Sequence, residues 1–331
     1  MSGVIAAVSL APPTIPGFIC AWHFGADGVP APLTEPNLEA AVLAGDGWTW
    51  LHLNLGDQRC LRWLTQSLAV PQGLAAEFAE TSQRQYLSSH GDYLTGHLND
   101  FRQEFDRDCS EQAWLHLLMA KNFLLTGRVK AVQSAERLRK DLARGMVFTS
   151  PTQLLSHTIA NYPDTLDGLH HALLDELEII EDHVLDERHR GERKRLMLAR
   201  REMAQLHRHM RSLRRALINA ERTLPNFPEG LAPVIPRLAH LDQDFEVMEA
   251  RARFFHDEID AKLASETNRQ LYILSALTAA FLPPTLVAGL FGMNFEGLPW
   301  SGSSWGFYIA LGLCLLSSAA VWLFLWNASR R

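Results

Sequence analysis

Two uninterrupted apolar runs dominate the hydrophobic pattern of this chain. Residues 271–291 read LYILSALTAAFLPPTLVAGLF and residues 306–326 read GFYIALGLCLLSSAAVWLFLW, neither with a formal charge. At about 1.5 Å per residue, each run makes a helix of about 30 Å, the hydrocarbon thickness of a bilayer. A buried core helix is the alternative for one such run, but two at one end of a chain favour a pair of membrane spans. Pro283 and Pro284 would break a soluble helix, whereas a spanning helix packed against neighbours tolerates them.

Upstream of the first run the period changes to a heptad. Leu238, Leu241, Phe245, Met248, Ala252, Phe255 and Ile259 are spaced alternately three and four apart, the spacing of a coiled-coil seam. The segment 226–236, NFPEGLAPVIP, is a breaker. From Arg237 to Asn294 the chain reads as one helix of roughly 87 Å. A seam on so long a helix is expected to need copies of itself or a large partner, and a parallel homo-oligomer around an axis is the economical answer.

Nearer the N-terminus, β-rich runs occur at 18–23, 48–53, 93–98, 114–119 and 123–126, with helical stretches near 57–80 and 131–144. Residues 48–53, WTWLHL, alternate polar and apolar side chains as a half-buried strand does. An α/β domain over 1–150 is expected. From Ser150 onward the pattern is helical.

Charge then divides the chain. From Leu271 to Arg331 the only charged residues are Glu296, Arg330 and Arg331, so all the others lie in residues 1–270. Residues 164–187 hold nine acidic side chains and no Lys or Arg, while 188–215 hold eleven Lys/Arg against Glu192 and Glu202. Gly191 lies near the change of sign. An antiparallel hairpin would set the acidic arm beside the basic one. The basic arm could instead meet nucleic acid or lipid headgroups, but its counter-charge is supplied in cis. The net charge of −6 also argues against a nucleic-acid partner.

Loop 292–305 contains no Lys or Arg, while Lys262, Arg269, Arg330 and Arg331 flank the spans. The positive-inside rule therefore places both termini in the cytoplasm. The N-terminus lacks the basic region and the long apolar run of a signal peptide. Cys20, Cys60, Cys109 and Cys314 form no CxxC pair, which argues against a zinc knuckle or a disulfide framework. The expected order is a cytoplasmic α/β domain (1–150), a helical hairpin (151–236) and a stalk helix (237–270). A pore-lining first span (271–294), a periplasmic loop (295–305), a second span (306–327) and a cytoplasmic tail (328–331) follow.

The first span ends in Phe291-Gly292-Met293-Asn294. A Gly-Met-Asn closing the first of two terminal spans, behind a long amphipathic helix, resembles the signature of the CorA superfamily of divalent-cation transporters. Pro283-Pro284-Thr285 and Phe295-Glu296-Gly297-Leu298-Pro299-Trp300 look most like its ZntB zinc-transporter branch. The Met-Pro-Glu-Leu loop typical of the magnesium branch is absent.

The resemblance implies a homopentameric funnel in a bacterial-type inner membrane, with the first span lining an axial pore and the second facing lipid. Its cargo would be Zn2+, or Mg2+ or Co2+, and it needs no cofactor. Asn268, Leu271, Leu274, Thr278, Leu282 and Thr285 fall on one stripe of the first span and align by motif register with the family's pore-facing positions. A plain helix–helix seam is the alternative for this stripe.

Neither span holds a carboxylate, imidazole or amine. A bare divalent ion would find nothing to offset its lost hydration, so the ion is expected to enter at least partly hydrated. Five copies of Asn294 would present amide oxygens to first-shell water. Gly292 allows close backbone approach, and the leucines could close by dewetting. Glu296, five-fold repeated, would gather cations at the outer mouth; a solvated loop residue is the alternative.

Zinc prefers nitrogen and sulfur ligands. Among the 14 histidines no HxxxH pair occurs, and most, including His170, His171, His183, His207 and His209, read as surface helix residues. His240 and His256, with Asp257, are candidates for meeting ions in a cytoplasmic funnel. Zinc therefore rests on the branch resemblance and not on a ligand set. A membrane-anchored scaffold without a pore is the competing class. An enzyme finds no P-loop, GxSxG or HExxH to support it.

Overall fold

The computed structural model describes residues 15–34, 46–80, 84–101, 112–185, 191–292 and 305–328. Its contacts divide the chain into two units, Met1–Arg253 and Phe254–Arg331.

The first unit begins with a seven-stranded sheet: β1 (Phe18–Phe24), β2 (Pro30–Leu33), β3 (Trp48–Asn54), β4 (Tyr86–His90), β5 (Tyr93–Phe101), β6 (Gln112–Met119) and β7 (Phe123–Arg128). The strand order is β2-β1-β3-β7-β6-β5-β4, with β3 and β7 parallel and the remaining neighbours antiparallel. The five runs expected as strands are the five inner ones. The two unexpected strands, β2 and β4, are the edges. The sequence of β2, PAPL, suits an edge because proline has no N–H to give to a ladder.

Helices α1 (Arg59–Gln66) and α2 (Gln72–Ala79) replace the single helical stretch expected near 57–80. The break falls where Ala69 takes a positive φ of 51° and Pro71 follows. Both helices pack on one face of the sheet, where Cys60, Trp63, Leu64, Leu74 and Phe78 meet Leu51, Leu53, Leu118 and Leu125. On the other face lie α3 (Gln133–Ala143) and α4 (Pro151–Ala160). The start of α4 is set by Ser150, whose hydroxyl accepts the Gln153 amide at 3.2 Å, with Pro151 in the first turn.

Because helices cover both faces, β3 is not half-buried as its alternation suggested; all of Trp48–Leu53 is buried. Some of its polar atoms are satisfied internally, while Trp48 Nε1 and His52 Nε2 are buried without a hydrogen-bond partner. Thr126 Oγ1 accepts Trp50 Nε1–H at 2.9 Å and lies 2.7 Å from His52 Nδ1.

Helices α5 (Tyr162–Leu185) and α6 (Glu192–Thr223) are in contact along the chain's acidic and basic arms. Arg195 holds Glu176 and Glu192, and His183 Nδ1 lies 3.0 Å from Glu192. The arms do not neutralise each other alone, however. Helix α7 (Val234–Gly292) joins the exchange: Arg251 pairs with Glu181, Arg237 with Asp164, and Arg214 with Asp242 at 2.6 Å.

The heptad seam also resolves differently from expectation. Leu238, Leu241, Phe245, Met248 and Ala252 are already buried in the isolated chain, as are Phe255 and Ile259. Phe245 sits between His170 of α5, at a ring distance of 5.2 Å, and His207 of α6, at 5.7 Å. Around Phe245, helices of the same subunit cover the seam, so the seam gives no argument for oligomerisation.

The second unit comprises the remainder of α7 and α8 (Trp305–Ala328). Two of the described helices are long and apolar enough to cross a membrane, and almost none of either apolar stretch is buried within the chain. This distinguishes them from core helices of a soluble protein, whose apolar surface is covered by their own fold.

Candidate functional site

The apolar stretch of α7 stays helical through Pro283 and Pro284. A proline at 284 removes the N–H that would bond the carbonyl of Ala280. The Ser318 hydroxyl of α8 donates to that carbonyl at 3.5 Å, and Cys314 Sγ lies 3.6 Å from the Pro284 carbonyl. These contacts identify the face of α7 that meets α8. Ala276, Ala280, Pro283, Val287 and Phe291 are half-buried there.

At 100° per residue, the opposite face carries Thr278, Leu282 and Thr285. All three are exposed within the single chain and line one open groove of about 680 Å³ with Phe281, Leu286, Gly289 and Leu290. Asn268, Leu271 and Leu274 are exposed on the same helix but do not line that groove. The Thr278 hydroxyl donates to the Leu274 carbonyl at 2.9 Å, and that of Thr285 to Phe281 at 2.6 Å. Each hydroxyl proton is thus spent on the helix, leaving oxygen lone pairs able to accept hydrogen bonds from water. This surface thus offers hydrogen-bond acceptors and carries no charge.

Gly292 is the last residue of α7 and is exposed, with no atom within 4 Å of where a Cβ would stand. Met293, Asn294 and Glu296 lie outside the described residues. The candidates His240, His256 and Asp257 all belong to α7. His240 lies 3.8 Å from Asp244 and His256 3.7 Å from Asp260, each one turn along α7, while Asp257 is exposed.

Two histidines expected on the surface are buried instead. His207 is 5 % exposed; its Nε2 lies 2.7 Å from Asp242 and its Nδ1 3.0 Å from Glu249. Together with Arg214 it ties α6 to α7. His170 is 7 % exposed, and its Nε2 has no hydrogen-bond partner. Helical periodicity over 162–185 could have placed His170 on the buried face, since Leu166, His170, Leu173 and Leu177 are spaced four, three and four apart.

A family model described as "CorA-like Mg2+ transporter protein" matches residues 45–331. The chain is 25 % identical over 323 residues to the "Zinc transport protein ZntB" of Pectobacterium atrosepticum, covering 92 % of this chain and 94 % of that one. In fold it resembles the full-length CmaX protein, with a TM-score of 0.77 and 22 % identity over 96 % of this chain and 98 % of that one. It also resembles the CorA magnesium transporter of Methanocaldococcus jannaschii, with a TM-score of 0.70 and 19 % identity over 92 % and 97 %. A soluble α/β unit, a long helix and two apolar C-terminal helices are common ground with these structures, and the chain belongs to the CorA-like family of Mg2+ transporter proteins.

Proposed function

We propose that this chain is a divalent-cation transporter of the inner membrane, most suited to zinc, working as a homopentamer with the exposed stripe of α7 lining an axial pore. The observation that carries the reading is that stripe. Thr278, Leu282 and Thr285 lie opposite the face that meets α8, on a span without a charged side chain. A simple anchor has no use for two threonines on its uncovered face. Zinc as cargo is supported by the name of the Pectobacterium relative and by the Leu298-Pro299-Trp300 sequence where the magnesium branch has its acidic loop.

In this reading, five copies of Asn294 hold a partly hydrated ion through its first-shell water. Gly292 and Met293 complete the mouth, and Glu296 concentrates cations outside it. Leu271, Leu274 and Leu282 form apolar constrictions below, and Asn268 a polar ring at the cytoplasmic end. Both termini are cytoplasmic, and the driving force is an ion gradient or the membrane potential.

The test is flux into liposomes containing the purified protein, comparing zinc with magnesium, with and without a pH gradient. Zinc flux exceeding magnesium flux is expected. Magnesium flux alone would make the chain a magnesium channel. No flux from a correctly assembled oligomer would leave a scaffold.

A further inference from the structure

A groove of about 700 Å³ runs between the first half of α5 and the first turns of α7. One wall carries Asp167, His170 and His171; the other carries Arg237, His240 and Asp244. Asp167, His170 and His171 stand at i, i+3 and i+4, so a single helix face presents all three. Each offers a potential ligand atom, and these atoms lie within 4.8 Å of one another.

The hydrogen bonding leaves the nitrogens ready for a metal. His171 Nδ1 lies 2.8 Å from the Asp167 carbonyl oxygen. A carbonyl only accepts, so Nδ1 carries the proton and Nε2 keeps its lone pair. Metal-binding histidines are oriented in this way. His170 Nε2 is buried without a partner, a costly arrangement for a polar atom unless something else occupies its lone pair. Arg237, the cation that would repel a metal, is engaged by Asp164.

We propose that Asp167, His170 and His171 form a binding site for a borderline-soft divalent metal ion, of which Zn2+ is the natural probe. Two imidazoles and one carboxylate make a zinc-type donor set with a position left for water. Mg2+ demands oxygen ligands in octahedral geometry and finds only one carboxylate among these three residues. His240 stands on the opposite wall of the groove, beside Asp244. The groove is open, so the ion exchanges with solvent. The site lies in the first unit and does not depend on the pore reading.

Zinc binding to the full-length protein in detergent tests the site, by equilibrium dialysis and by competition with a chromophoric chelator. Wild type should bind one zinc per chain that a thousandfold excess of magnesium does not displace. His171→Ala and Asp167→Asn, both at exposed positions, should weaken that zinc at least tenfold, and His240→Ala should weaken it less. Asn294→Ala should bind it like wild type, which separates this site from the pore. Cobalt in place of zinc should give visible absorption bands that His171→Ala abolishes. Equal stoichiometry and affinity in wild type, His171→Ala and Asp167→Asn would overturn the site. A chain that binds zinc here yet carries no flux would overturn only the transport reading.

Discussion

Phe245 lies almost parallel to His207, with ring centroids 5.7 Å apart and planes 11° from coplanar. His207 is clamped between Asp242 and Glu249, so an apolar seam residue packs against a ring held by two carboxylates of the seam's own helix. The long helix is thereby docked to its own subunit's hairpin.

Phe245→Ala should destabilise the subunit by about 3–5 kcal/mol, the cost of truncating a fully buried aromatic. Thermal unfolding of the detergent-solubilised protein should show a large fall in Tm. Val247→Ala, two residues on but 70 % exposed, should shift stability by no more than about 0.5 kcal/mol. Equal effects at the two positions would contradict the inward-facing seam.

The Ser318 hydroxyl replaces the backbone donor that Pro284 lacks. Ser318→Ala should therefore cost about 0.6 kcal/mol, up to about 1.7, the range for hydrogen bonds between membrane helices. In a Pro284→Ala background the helix supplies its own N–H to Ala280, and the serine should matter much less. A double-mutant cycle with no coupling would show that the contact carries no energy.

Acid should destabilise the α/β region through its buried histidines. Burial pulls His52 down to about 3 and His116 to about 4, and lowers His97 as well. The folded state then binds fewer protons than the unfolded chain, whose histidines titrate near 6.5. Stability is fully present above about 6.5 and is lost as pH falls toward about 4. Burial raises Asp100 to about 6, which acts oppositely: its contribution is present at low pH and is lost as pH rises through about 6. The three histidines outweigh the one carboxyl. His116→Gln keeps a donor for the Phe78 carbonyl, 2.8 Å from the native ring nitrogen, and should flatten the dependence between pH 6.5 and 4. An unchanged slope in chemical denaturation would exclude His116 as a contributor.

Asn294→Ala should leave the oligomer intact and remove most flux, because alanine preserves helix propensity but has no amide. Flux within twofold of wild type, at the wild-type oligomeric mass, would sink the assignment of the ion-binding ring.

What the sequence by itself determined are the features carried by local composition and period. Two uncharged apolar runs require a non-aqueous environment wherever they are placed. Five β-rich runs became the five inner strands, and the reversal of charge around Gly191 separates the two arms, α5 and α6. The Gly-Met-Asn after the first run pointed to the family. Each of these signals is read from neighbouring residues along the chain. The edge strands β2 and β4 were missed because an edge needs only half its backbone paired and tolerates a sequence such as PAPL. β3 was misjudged because alternation cannot reveal that helices cover both sides of a sheet.

Only the tertiary structure decided the partner of the heptad seam. A three-four spacing says that one face is buried but not against what, and distant residues of α5 and α6 supplied the answer. The same holds for His207 and His170. A histidine on a helix is a surface residue or a buried one according to what stands opposite, and Asp242, Glu249 and Phe245 lie tens of residues away. The lesson extends to the groove at Asp167, His170 and His171, where an unremarkable run of sequence offers metal chemistry. Packing buries one nitrogen there without a partner, and a backbone carbonyl fixes the proton of the other ring.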